Sequence, residues 1–266
     1  MFQAMRSVII ALALFGVSGV QVFADSSSPE TPTYKGAVHI ITEPIIMAVR
    51  SYSLSPTRNT SKTFGKVNGG DFYMGSFSKG TSQVKQLGDN LLMLVSIDEM
   101  TVNAHGQQQR SSPEMKISVE LTPQGKVLEM DFAAPELSSA EFQQTKQLLG
   151  NAVKQSVATF PKEGVREGHR FENSIDLGIG IMKSVGKVLG KTEFRDREML
   201  LVDFDESTAS FNFEGKNIKG DITGYGLMDV ATGAWSYSEL LIDMLLEYEG
   251  EKTNLYVNQV TEILLE

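Results

Sequence analysis

The stretch Ser138–Phe160, SSAEFQQTKQLLGNAVKQSVATF, decides how the rest of the chain is read. Ser138 and Glu141 stand at the S-x-x-E spacing of a capping box, where each side chain satisfies a free backbone N–H of a first helical turn. Phe142, Leu149, Ala152, Val153, Val157 and Phe160 recur at three- and four-residue steps, which predicts one apolar stripe on a helix. Pro161 lacks an N–H and disfavours helical geometry in the residue before it, so the helix is expected to end at Phe160. Its length would be roughly 34 Å. Gly150 weakens it by up to about 1 kcal/mol relative to alanine.

On both sides of this stretch the pattern changes to strands. Tyr34–Ile41 and Ile45–Leu54 are apolar or β-branched runs around Pro44. Lys62–Gly80 reads as short strands with a turn at Asn68-Gly69-Gly70. Asn90–Met100 is an apolar strand, Ala104–Pro113 a polar loop, and Lys116–Thr122 and Lys126–Phe132 a strand pair across Pro123-Gln124-Gly125. After the helix, Ile175–Leu189 is ambiguous because its glycines weaken any helix. Phe194–Phe204 is expected to pair with Ala209–Phe213 as a hairpin across Asp205–Thr208, and Ile222–Val230 with Ala234–Tyr248 across Thr232-Gly233. Leu255–Leu265 ends the chain as a strand. Tyr237–Glu249 fits both periods. As a helix it would stack Glu239, Asp243 and Glu247 at four-residue steps, a repulsive arrangement, so a strand is expected.

The expected fold is therefore mainly β (α+β): two antiparallel meanders forming a curved sheet or half-barrel around one long central helix. Residues 1–24 read as a secretory signal peptide, with Arg6 before the apolar run Val8–Val17 and a small residue at Ala24. Residues 25–33, DSSSPETPT, read as a disordered leader, and 34–266 as a single β-rich domain with the helix at 138–160. Removing the signal would leave 266 − 24 = 242 residues, and the loss of Arg6 would take the net charge from −9 to −10. An acidic chain has no general attraction for nucleic acid. With no cysteine, disulfides, thiol catalysis and thiolate metal sites are excluded, as is a lipid anchor on cysteine. No later run is apolar enough to span a bilayer as a helix, so a periplasmic or secreted location is expected.

The second half resembles a family of exported bacterial proteins of unknown function. The residues that carry the likeness are Leu121-Thr122-Pro123-Gln124-Gly125-Lys126-Val127, then Phe160-Pro161 with Val165 and Gly168, then Gly224, Gly226, Asp229 and Gly233. It covers roughly 116–265. His169 stands where the family tends to have Asp, and Phe171 where it tends to have Trp. These are turn and packing signatures, so the resemblance implies a fold and supplies no catalytic residue. In architecture the expected layout is also similar to the periplasmic lipoprotein-carrier half-barrels, and fold by itself does not set function.

Signatures of chemistry fail one by one. Leu177–Lys187 lacks the spacing and hydroxyl of a phosphate loop. Asp203-Phe204-Asp205-Glu206 lacks the further ligands and central glycine of a calcium loop. His39, His105 and His169 have no zinc spacing, and there is no G-x-S-x-G elbow. The row Glu239, Asp243, Glu247 is read as a solvated strand face. Uneven strands and the Leu-Leu-Glu terminus argue against an outer-membrane barrel. The expectation is a non-catalytic binding or envelope-interaction protein, without cofactor or metal. Its partner would be an unidentified protein or a hydrophobic ligand. The alternatives are a carrier of a lipid-like ligand between sheet and helix, suggested by twelve Met and fourteen Phe, and a hydrolase with an unrecognised site. The candidate ligand-facing residues are Phe142, Leu149, Val153, Val157 and Phe160.

Overall fold

In Met115–Leu121 every second residue is apolar, and the buried positions are Met115, Ile117, Val119 and Leu121. That period of two recurs along most of the chain and produces strands. The computed structural model describes residues 30–67, 70–104, 107–112, 114–134, 159–176, 180–213, 216–248 and 251–263. The first half holds β1 (Tyr52–Val67), β2 (Gly70–Leu87), β3 (Asn90–Ala104), β4 (Gln107–Ser111), β5 (Met115–Leu121) and β6 (Val127–Ala133). The second holds β7 (Arg170–Asp176), β8 (Gly180–Phe194), β9 (Arg197–Asp203), β10 (Ser207–Phe213), β11 (Lys216–Asp229), β12 (Trp235–Tyr248) and β13 (Glu251–Ile263). All thirteen belong to one antiparallel sheet.

The expected α+β class is corrected: among the described residues the regular structure is all β, with no helix. Of the expected helix Ser138–Phe160, residues 138–158 lie outside the described residues, and Thr159 and Phe160 are irregular. The two expected meanders are present, and among the described residues they meet by strand pairing. β13 runs antiparallel to β1, from Thr57 opposite Ile263 to Gly65 opposite Leu255. The backbone hydrogen bonds of two strands far apart in sequence thus make the sheet continuous.

Two other expectations change. Phe194–Phe204 and Ala209–Phe213 do not form a hairpin. β9 and β10 point the same way, both antiparallel to β8 on one side and to β11 on the other. They are one long strand interrupted at Phe204-Asp205-Glu206. Likewise β4, in the stretch expected as a polar loop, continues into β5 along the same side of β3, with a break where Glu114 takes φ 45°. The ambiguous Ile175–Leu189 stretch contributes to β7 and β8. The hairpin of β11 with β12 and the strand over Tyr237 are as read from the sequence.

Of the segments expected as strands at Tyr34–Ile41 and Ile45–Leu54, only Tyr52–Leu54 are strand, as the start of β1; Tyr34–Val49 form instead a strap that wraps around the sheet edge. Among the described residues its bridges are His39 with Lys191 and Ile45 with Val165. Before His39 the strap lies on what we call the outer face, where the Tyr34 ring meets Tyr225 edge-on at 5.4 Å. After it the strap lies on the inner face, where Ile41 and Met47 join Phe160, Val165, Phe171, Val188, Leu200, Val202, Phe204 and Met228 in one core. A second inner core holds Val84, Leu91, Val119, Leu121 and Phe132. Val49 packs against both. Its N–H donates to the carbonyl of Pro123 at 2.7 Å, and the next residue, Arg50, donates to Thr232 at 2.9 Å. Covering both faces explains why β9 carries an unbroken buried run, Met199 to Val202, where alternation is lost.

Candidate functional site

Two β-bulges shape the outer face. In a regular strand, residues two apart share a face. Tyr52 and Leu54 do not. One extra residue in β1, between the pairs Tyr52–Val84 and Ser55–Ser82, leaves Tyr52 packed on the inner core and turns Leu54 out. The same device in β12 separates Trp235, which packs with Phe204 on the inner side at 5.7 Å, from Tyr237, which packs on the outer side with Phe194 at 5.4 Å. Bulges re-aim side chains in this way and collect near binding sites.

Leu54, 57% exposed, overhangs a groove of about 240 Å³ on the outer face of β2, β3, β5 and β6. Pairing aligns its walls. Gln83, Leu94, Ser118 and Asp131 form one cross-strand row, and Thr81, Ser96 and Lys116 the next. The Thr81 and Ser96 hydroxyls lie 2.9 Å apart. The Ser96 Oγ also accepts the Thr81 N–H at 3.2 Å, beside a bulge where β3 skips Asp98. Gly80 is required there, because a Cβ would sit 1.8 Å from the Ser96 carbonyl oxygen. Beyond Thr81 runs a charged row, Glu262, Arg58, Lys79 and Glu99 on adjacent strands. Glu99 lies 3.1 Å from Arg110 and 3.7 Å from Lys79, and Glu262 pairs with Arg195. The groove thus offers an apolar lip and floor, hydroxyls, an amide, one ammonium and one carboxylate.

Of the candidate ligand-facing residues, Phe142, Leu149, Val153 and Val157 lie outside the described residues. Phe160 is 3% exposed and meets Phe171 edge-on at 6.2 Å, while its N–H donates to Gln124 at 2.9 Å. It is a core residue that ties the β5–β6 turn to the inner core. The acidic row is on the outer face, as read from the sequence. Glu239 accepts the Tyr225 hydroxyl at 3.0 Å, and burial pushes that phenol up, helped by Tyr237 and Glu239. Asp243 stands opposite Asp221. Its carboxyl is pushed up by burial and then by Asp221. Asp203-Phe204-Asp205-Glu206 is the break between β9 and β10. There Glu206 accepts both terminal nitrogens of Arg170, at 2.7 and 2.5 Å, which holds its carboxyl below the usual range. Burial and Asp205 raise Asp203. His39 and His169 lie on the β8 half of the sheet, far along it from the groove, and the His169 ring stacks edge-on to Phe171 at 4.8 Å. His105 lies outside the described residues. Among the described residues no three His, Asp or Glu come together as metal ligands.

The glycines and aspartate that carried the family resemblance serve turns and close packing: Gly125 and Gly168 take φ 87° and 77° in turns, and a Cβ on Gly168 would meet nothing. A Cβ on Gly226 would lie 2.7 Å from the Trp235 ring, and one on Gly233, at φ 70°, would lie 2.6 Å from the Ala48 carbonyl oxygen. Asp229 caps the turn through the Thr232 N–H at 2.8 Å. The groove is what sequence reading missed. Its residues are scattered over five strands, and the only local signal was the ordinary alternation of β5. No family model matches the chain, and it matches no curated protein. Among the described residues no helix is long and apolar enough to cross a membrane, a statement about helices alone.

Proposed function

We propose that this is an exported, non-catalytic binding protein that holds a partner molecule on its outer face, with one side-chain-sized group seated under Leu54. The observation that carries this reading is the groove itself. At about 240 Å³ it is smaller than the roughly 300–1,000 Å³ that encloses a small-molecule ligand. It is also open on a face bordered by charged side chains, as the rims of protein–protein contacts are. Its mixed lining suits one amphipathic group of a larger partner. The signal-peptide pattern at residues 1–24 supports export, and the acidic chain supports a partner other than nucleic acid. The carrier alternative loses its one described ligand-facing residue, since Phe160 is spent on packing.

The test is a photo-crosslinking residue in place of Leu54, with a second at Leu245, which lies elsewhere on the outer face, as the control. Expressed in a bacterial envelope, the first should give an adduct of fixed mass and the second should not. Equal labelling at both positions, or none at Leu54, would defeat the proposal. A stoichiometric lipid in the native mass of the purified chain would replace it with the carrier reading.

A further inference from the structure

We infer that a second copy of this chain pairs with the strap edge at Val38–Ile40, in a two-fold antiparallel contact centred on His39. The strap takes the place of β7 where that strand has ended. β7 pairs with β8 only up to Lys187, and His39 pairs with Lys191 further along the same edge. Three strap groups turn inward. The His39 N–H donates to Lys191 at 2.7 Å, the His39 carbonyl accepts from Lys191 at 2.8 Å, and the Ala37 carbonyl accepts from the Thr192 hydroxyl at 2.6 Å. In an extended segment the neighbouring residues must then direct their N–H and C=O outward. Among the described residues these groups of Val38 and Ile40 have no partner. The side chains beside them are apolar and open, Val38 at 45% and Ile40 at 74% exposed. An unpaired apolar edge of this kind is a template for another strand.

The segment's own sequence selects the occupant. It reads Lys35-Gly36-Ala37-Val38-His39-Ile40-Ile41-Thr42-Glu43. Laid antiparallel on itself about His39, it sets Val38 of each copy against Ile40 of the other, so outward groups meet outward groups. The same register puts Lys35, one residue beyond the bend at Gly36, at the same end as Glu43 of the other copy, which stands at a bend of its own. Shifting it by one residue would set outward groups against inward ones, and shifting by two would part the charges. A two-fold contact is also closed, so pairing stops at a dimer. The opposite charges at its ends act against the general repulsion between two acidic chains. Leu189, 39% exposed, adjoins Gly190 on β8, where an added Cβ would meet Val38 and His39.

The experiment is sedimentation velocity of the mature chain between about 1 and 200 μM, a range suited to a small contact. We expect a reversible dimer, lost in Ile40→Lys, a change at an exposed position that leaves the melting temperature in place. Lys35→Glu or Glu43→Lys alone should weaken the dimer about tenfold, since each places like charges at both ends. The double exchange should restore it. In hydrogen exchange, the Val38 and Ile40 amides should slow as concentration rises. A chain that stays monomeric throughout, or a dimer that ignores Ile40→Lys, overturns the inference.

Discussion

The Ser207 Oγ accepts the Val185 N–H at 2.7 Å and donates to the Val185 carbonyl at 3.2 Å, so one side chain closes the ladder where the β9–β10 strand is broken. Ser207 is 1% exposed. Replacing it with alanine leaves a buried N–H and C=O unmatched, at a cost of about 1–3 kcal/mol. Urea unfolding of Ser207→Ala should show that loss, and a change below about 0.3 kcal/mol would mean the break is hydrated.

A second prediction concerns a buried carboxylate. Asp229 is 1% exposed, and its Oδ1 accepts the N–H and hydroxyl of Thr232 at 2.8 and 3.1 Å. Its Oδ2 lies 3.1 Å from Arg197 in an ion pair without an aligned hydrogen bond. Removing the cation with Arg197→Ala strands the charge, and the loss should be about 2–3 kcal/mol, below the range for a fully buried pair because Arg197 is partly exposed. Asp229→Asn keeps the turn bonds and should cost less. If the order were reversed, the pairing would not be what stabilises this turn.

The β8–β9 hairpin turns on Arg195 and Asp196, both left-handed at φ 53° and 59°. Two-residue hairpins of this type favour glycine at the second position, and an L side chain there costs about 1 kcal/mol. Asp196→Gly should therefore stabilise the chain by up to about 1 kcal/mol and leave the Arg195 pair with Glu262 intact. Differential scanning calorimetry reads this directly, and a lower melting temperature would refute it.

Asp243 gives a pH dependence of known sign. Its carboxyl titrates above the usual range because of burial and the facing Asp221. The folded state therefore keeps the proton to higher pH than the unfolded chain, and stability falls as pH rises through that window. Asp243→Asn should gain about 0.5 kcal/mol at pH 7, the size of one cross-strand like-charge pair. The gain should vanish toward pH 3. A constant gain across that range would point to packing and not to charge.

Local pattern carried the strands well where one face is buried and the other wet. β5, β11, β12 and β13 were legible because alternation and turn residues agree. The pattern failed where burial is two-sided or absent. The strap at Tyr34–Val49 has the composition of strands, yet it spends its residues on two opposite faces and pairs at only two points. The β9–β10 break has turn residues, Asp205 and Glu206, but the chain does not reverse there, because β8 and β11 hold both halves in line. Nothing local distinguishes a kink of this kind from a hairpin. The groove under Leu54 was invisible for a similar reason: a single bulge decides which way Leu54 points.

By itself the sequence determined that the chain is β-rich, acidic and free of cysteine chemistry, and it placed the turns at Pro123-Gly125 and Thr232-Gly233. These follow from side-chain period, charge and backbone restrictions, which act over a few residues. Only the tertiary structure decided that β13 meets β1, that the strap passes from one face to the other at His39, and that Phe160 is core. Those outcomes depend on which distant backbone edge and which apolar surface a segment meets. That partner is set by the summed burial of the whole sheet and not by any one stretch of it.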